Sequence, residues 1–190
     1  PHVSVLSAGE AHLSHPTQGL LDALTIRHSK GRFEGLAVTI VGDIRHSRVA
    51  RSAWQALRTL GVVDFRLAAP SALMPDEKEF PGCTRHARFA TALRGANVVM
   101  MLRIQKERMR DAELPDGEQY FAAWGLTRER LALAAPDAIV MHPQPMNRGI
   151  EIASDVADGR QSVIRDQVRN GVAVRMAVLE AVLTSRRGRA

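Results

Sequence analysis

Apolar positions along the chain fall into two patterns, short continuous runs and longer stretches with helical spacing. LAVTIVGD (36–43) is an unbroken apolar run that ends in a glycine and an acid, and NVVMMLRIQ (97–105) and DAIVMHP (137–143) repeat the arrangement. Runs of this kind mark strands buried on both faces of a parallel sheet. VDFRLAAP (63–70) predicts a further strand of the same sheet, and VSVLSAG (3–9) predicts another near the start. Helical spacing governs 17–28, with Leu20, Leu21 and Leu24 on one face, and SRVARSAWQALRTLG (47–61), which stops at Gly61. It returns in 85–96, in a short helix N-capped by Thr127, and in a closing helix over 162–183 that Asn170-Gly171 weakens. Residues 71–85, with Pro75, Pro81 and Gly82, and the polar stretch 106–120 read as loops. Strands alternating with helices give an α/β fold, a three-layer doubly wound and mainly parallel sheet of Rossmann-like type.

Composition narrows the function more than the fold. The 190 residues are 45% hydrophobic and 24% charged, ordinary for a globular chain. The net charge of +6 invites a nucleic-acid reading, but Arg186, Arg187 and Arg189 in the tail supply half of that excess. The remaining basic residues are interleaved with acids, and the single tyrosine leaves no aromatic-basic stripe on which bases could stack. No nucleic-acid partner is expected. No apolar run is long enough for a membrane span, and no basic segment followed by an apolar one opens the chain. The lone Cys83 permits neither an internal disulfide nor a cysteine zinc site, which suits a cytoplasmic protein.

Parallel sheets bind ligands beyond the carboxyl ends of their strands, so the residues just after each apolar run carry the chemistry. After the first run stands GDIRHSRVARS, with Gly42 alone where a dinucleotide fingerprint needs three glycines. Arg45, Arg48 and Arg51 crowd a helix N-terminus, where cations oppose the helix dipole unless an anion joins them. On an exposed helix these arginines read equally well as solvated side chains. After the next run, Arg103 and Gln105 alternate with Ile104 and so share a face, a guanidinium and an amide suited to a carboxylate. HPQP (142–145) is a stiff extended loop whose carbonyls are open to donors. Near the start, SHPTQ places His15 and Gln18 at a helix N-terminus, an anion site with a donor for a developing oxyanion.

Taken together, HPTQGLLDALTI, VTIVGDIRHSRVARS, MMLRIQKERM and MHPQPMNRGIEI with VADGRQSVIRDQVRNGVAVRMAVL resemble, in order and spacing, the catalytic chain of the aspartate transcarbamoylase family. The resemblance runs from about residue 6 to 183. The related ornithine enzymes would carry a cysteine in the first motif, where Thr17 follows Pro16, and another in the late motif. They would also carry an Asp-Ser-Met-Gly element that this chain lacks.

The resemblance implies carbamoyl transfer from carbamoyl phosphate to the amino group of L-aspartate, a step of pyrimidine biosynthesis, without cofactor or metal. It implies that His15 donates to the carbamoyl carbonyl oxygen and that Gln18 contacts the carbamoyl amino group. Arg48, Arg103 and Gln105 would hold the aspartate carboxylates. Gln144 and Pro145 would contact both ligands through their backbone, with a cis peptide common before the proline. The 106–120 stretch, with Lys106, Glu107 and Arg108, matches a loop that moves on domain closure.

A homotrimer is implied, with a dihydroorotase or a regulatory chain as possible partners. The family's Ser-Thr-Arg-Thr phosphate loop, its Ser/Lys loop and one catalytic arginine have no counterpart here. The expectation is therefore a fragment: 1–26 left from a carbamoyl-phosphate domain, 27–160 an aspartate domain, and 161–190 the helix returning to the first domain. Alone it is expected to be inactive or nearly so. The alternatives are a non-catalytic aspartate-binding or assembly module, or a carbamoyltransferase for another amino acid. Two positions depart from the family pattern: Gln144 replaces a small or apolar residue, and Glu10 replaces an aspartate.

Overall fold

A computed structural model describes residues 5–10, 13–104 and 116–187. Five strands form one sheet: β1 (Ala37–Val41), β2 (Asp64–Ala68), β3 (Thr84–His86), β4 (Val98–Met101) and β5 (Ile139–Met141). All four pairings are parallel and the order is β3-β2-β1-β4-β5. Three continuous apolar runs thus became the central strands and one edge, as burial on both faces demands. Side chains alternate between the faces. Val38, Ile40, Val98 and Met100 pack with α1 (Pro16–Lys30) and α2 (Arg48–Thr59). Val41, Val99, Met101 and Val140 pack on the other face with α3 (Phe89–Leu93), α5 (Arg128–Leu131) and α6 (Ser154–Ala157). The result is the expected three-layer α/β sandwich. Between them α4 (Gly117–Trp124) follows the 105–115 stretch, and α7 (Ile164–Arg187) lies along α1.

Several sequence expectations need correction. Residues 5–9 form no strand; the segment is largely exposed, and the isolated bridge that follows it joins Glu10 with Ser14. A strand needs a neighbour to pair with, and no described strand lies beside it. The helix expected over 85–96 is only Phe89–Leu93, because Thr84–His86 pairs with β2 as an edge strand. This strand is polar and exposed, so no hydrophobic alternation announces it. Residues 117–120 are the first turn of α4, capped by Asp116, whose Oδ1 accepts from the N–H groups of Glu118 and Gln119. Thr127 caps α5 as expected.

Two helices differ in what they bury. Toward the sheet α1 buries Ala23 and Ile26, and toward α7 it buries Gln18, Leu21, Asp22 and Thr25, while Leu20 is 48% exposed. The Asn170-Gly171 pair does not break α7. Asn170 Nδ2 donates to Thr25 Oγ1 at 2.9 Å, and a Cβ on Gly171 would come within 3.2 Å of Leu21, so the pair is the point where α7 crosses α1. Among the described residues, no helix is long and apolar enough to cross a membrane.

Candidate active site

The strand order reverses direction on either side of β1, so a crevice opens between the carboxyl ends of β1 and β4. Gly42 closes β1 at φ 118°, and a Cβ there would lie 2.9 Å from the Leu102 carbonyl oxygen. Only glycine lets the two strand ends approach this closely. Beyond them lies a cavity of about 250 Å³ lined by His15, Gln18, Ser47, Arg48, Val49, Leu102, Arg103 and the loop Pro143–Pro145. Four separate stretches of sequence meet here.

Each wall has a local cause. Ser47 caps α2, its Oγ accepting from the Ala50 N–H at 3.1 Å, which brings the N-terminus of a twelve-residue helix to the cavity. Pro16 opens α1, where its missing N–H costs nothing. The His15 N–H donates to Ser52 Oγ at 2.8 Å, fixing the start of α1 against α2. The peptide between Gln144 and Pro145 is cis, as the resemblance implied. His142 Nδ1 accepts the Gln144 N–H at 3.0 Å, and its Nε2 stands 3.4 Å from the buried Glu151 Oε1, which also takes the Asn147 N–H at 2.6 Å. This brace shapes the loop from beneath.

The electrostatics favour an anion. Two guanidiniums and two helix N-termini face the cavity, and no carboxylate is among its described lining residues. Burial lowers the pKa of His15, and the charges of Arg48 and Arg175 lower it further, which favours the neutral ring. Its Nδ1 is buried and has no hydrogen-bond partner among the described residues. A neutral imidazole nitrogen in this position can donate to an incoming carbonyl oxygen.

The three arginines near α2 separate in the structure. Arg48 lines the cavity, with its guanidinium packed against Gly9. Arg51 is taken up by the carbonyls of Ser47 and Arg45, by Glu79 and by the Phe80 ring. Arg45 reaches the Ala72 carbonyl at 3.3 Å. His15, Gln18, Arg48, Arg103, Gln144 and Pro145 are thus brought together, whereas Gln105, Lys106, Glu107 and Arg108 lie outside the described residues.

A second cavity of about 160 Å³ adjoins the first across Gln18, Pro143 and Gln144, and adds His142, Gln167 and Arg175. Sequence reasoning missed Ser47, Gln167 and Arg175. Gln167 is buried where α7 crosses α1, and Arg175, though exposed, lines the second cavity from the same helix. Nothing in the structure explains Glu10.

An all-parallel sheet with an anion-seeking crevice at its reversal point defines the class as an α/β ligand-binding domain. Residues 34–182 match the family model "Aspartate/ornithine carbamoyltransferase, Asp/Orn binding domain". The chain belongs to that family. Solved structures of both branches are similar to it. An aspartate transcarbamoylase from Trypanosoma cruzi, in complex with phosphate, is 28% identical with a TM-score of 0.78, covering 91% of this chain and 59% of that one. An ornithine carbamoyltransferase from Thermus thermophilus is 26% identical with a TM-score of 0.76, covering 88% of this chain and 55% of that one. One from Pyrococcus furiosus is 28% identical with a TM-score of 0.75, covering 88% and 56%. The chain therefore spans less than two thirds of the length of these relatives.

Proposed function

We propose that this chain is the aspartate-binding part of an aspartate carbamoyltransferase, together with half of its carbamoyl-phosphate site. The observation that carries the reading is the charge of the cavity, which presents Arg48 and Arg103 and no carboxylate among its described lining residues. A dicarboxylate gains two guanidinium partners there, while the second ammonium of ornithine would meet only repulsion. Complexes of the Trypanosoma cruzi enzyme with aspartate and phosphate, and with carbamoyl phosphate, lend support.

In this reading Arg48 and Arg103, with Gln105, hold the aspartate carboxylates and leave its amino group unpaired toward the carbamoyl carbon. The nitrogen lone pair forms the new C–N bond, and the C–O bond to phosphate breaks. Phosphate departs with the bond's electron pair and takes up the amine proton. His15 donates to the carbonyl oxygen as negative charge develops on it, and Gln18 accepts from the carbamoyl NH₂. The contribution is position and oxyanion stabilisation. The 143–145 loop supplies backbone contacts from the opposite wall.

The domain division follows the same reading. Val168, Val172, Met176, Leu179 and Leu183 are exposed along one face of α7. An apolar helical stripe of this length is suited to burial, and residues 1–26 with 161–190 are read as the parts that meet a carbamoyl-phosphate domain. The test is product analysis with ¹³C-labelled carbamoyl phosphate and L-aspartate, on the protein at its native length and on these 190 residues alone. The native-length protein is expected to release phosphate and form N-carbamoyl-aspartate, with the 190 residues alone at about 1% of that rate or less. Aspartate binding without any product at native length would favour the non-catalytic alternative.

A further inference from the structure

Behind the cavity, the seam between α1 and α7 gathers four buried polar side chains, whereas the two faces of the sheet are lined mainly by apolar ones. Asp22 is 0% exposed and stands one turn after Gln18 on α1. Its Oδ1 accepts from Gln18 Nε2 at 3.0 Å and from Gln167 Nε2 at 2.9 Å. The two glutamines are themselves only 6% and 3% exposed. Gln167 passes the connection on, its Oε1 accepting the His142 N–H at 2.9 Å. One carboxyl group thus joins α1, α7 and the start of the 142–145 loop.

The direction of each amide follows from donor chemistry. An oxygen that already accepts twice requires both carboxamides to turn their nitrogens toward it. The oxygen of Gln18 is then what remains for the cavity, and the oxygen of Gln167 is what remains for His142. With an apolar side chain at position 22, nothing would distinguish the two orientations of the Gln18 amide. The amide would then be able to offer its NH₂ group to a ligand NH₂ group.

We infer that Asp22 is a positioning residue. It holds the Gln18 carboxamide with its oxygen toward the cavity, as acceptor for a ligand N–H, and through Gln167 it fixes the first residue of the facing loop. The identity of that ligand group as the carbamoyl NH₂ rests on the carbamoyl-transfer reading above. The anchoring rests on the hydrogen bonds alone.

The test reads the two parts separately. Side-chain NH₂ hydrogen exchange in this chain, followed by NMR, reports the anchoring. Gln18 is expected to exchange about tenfold more slowly than the exposed Gln55. Asp22→Leu is expected to abolish that difference, and Asp22→Asn, which keeps an oxygen in place, to retain it. Equal rates for Gln18 and Gln55 in the unmodified chain overturn the proposal without any variant, and so does an unchanged Gln18 in Asp22→Leu. The kcat/KM for carbamoyl transfer by the native-length protein reports the consequence. Asp22→Leu and Gln18→Ala are each expected to lose about tenfold or more, with the double variant no worse than Gln18→Ala. Losses that multiply would make Asp22 merely structural. An anchored Gln18 amide in a native-length protein that transfers no carbamoyl group would overturn the assignment of the ligand and leave the anchoring intact.

Discussion

Two buried regions of this molecule are built by opposite rules. Around the sheet, Val38, Ile40, Val98 and Met100 pack against the aliphatic faces of α1 and α2, and the only purpose served is stability. Between α1 and α7, Leu21 is accompanied by four buried polar side chains, Gln18, Asp22, Thr25 and Gln167, each in a hydrogen bond. A polar seam costs desolvation that an apolar one does not, and its gain is directional. It is found directly behind the cavity, where the direction of an amide matters. The contrast teaches where to expect damage: substitutions in the sheet core should reduce stability and leave specificity alone, whereas those in the seam and cavity should act chiefly on activity.

The largest effect should come from the core. Ile40→Ala is expected to cost about 2–5 kcal/mol in chemical denaturation, since a fully buried side chain leaves a cavity behind. In whatever fraction stays folded, the substrate preference of the native-length protein should be unchanged. A shifted preference would erase the distinction between the regions. Next, Arg103→Ala is expected to lower kcat/KM for aspartate about 100-fold, through lost carboxylate binding, while thermal melting stays within a few degrees.

The seam has a pH signature. Burial raises the pKa of the Asp22 carboxyl to about 7, with the hydrogen bonds from Gln167 and Gln18 opposing the rise. In an unfolded chain it would titrate at about 3.9. Between those values the folded state holds a proton that the unfolded state has lost, so stability falls as pH rises from about 4 to about 7 and is level outside that window. Asp22→Asn removes the titration, and denaturation midpoints across pH 4–8 are expected to show a shallower decline than the unmodified chain. An identical decline would mean that Asp22 is already ionised in its buried site.

A smaller loss is expected for Ser47→Ala. Removing the cap of α2 should cost about 1 kcal/mol. Smallest of all, Met176→Gln on the exposed face of α7 should change the stability of these 190 residues by less than about 0.5 kcal/mol. The same change should lower the activity of the native-length protein if that face meets a first domain.

What could be read from the sequence divides along the same line. The sheet was legible because burial on both faces leaves an unmistakable record, as in the run that became Ala37–Val41. The strand ends were legible as well, since charged and amide residues following such runs have few structural reasons to be there, and Arg48 and Arg103 indeed face one cavity. The edge strand Thr84–His86 left no record because its side chains meet solvent. The face of α1 was misread for a related reason. Leucines were expected to point inward, but Leu20 faces out and Asp22 faces in, because the partner across the seam is Gln167, 145 residues away in sequence. Local periodicity carries no information about such a partner.

The central claim is that this crevice selects a dicarboxylate. The most direct measurement is the ratio of kcat/KM for L-aspartate over L-ornithine, with carbamoyl phosphate as donor, in the native-length protein. A ratio of about 1000 or more is the expected result, from two guanidiniums that attract one substrate and repel the other. A ratio near or below one would contradict it and place the chain on the ornithine side of its family.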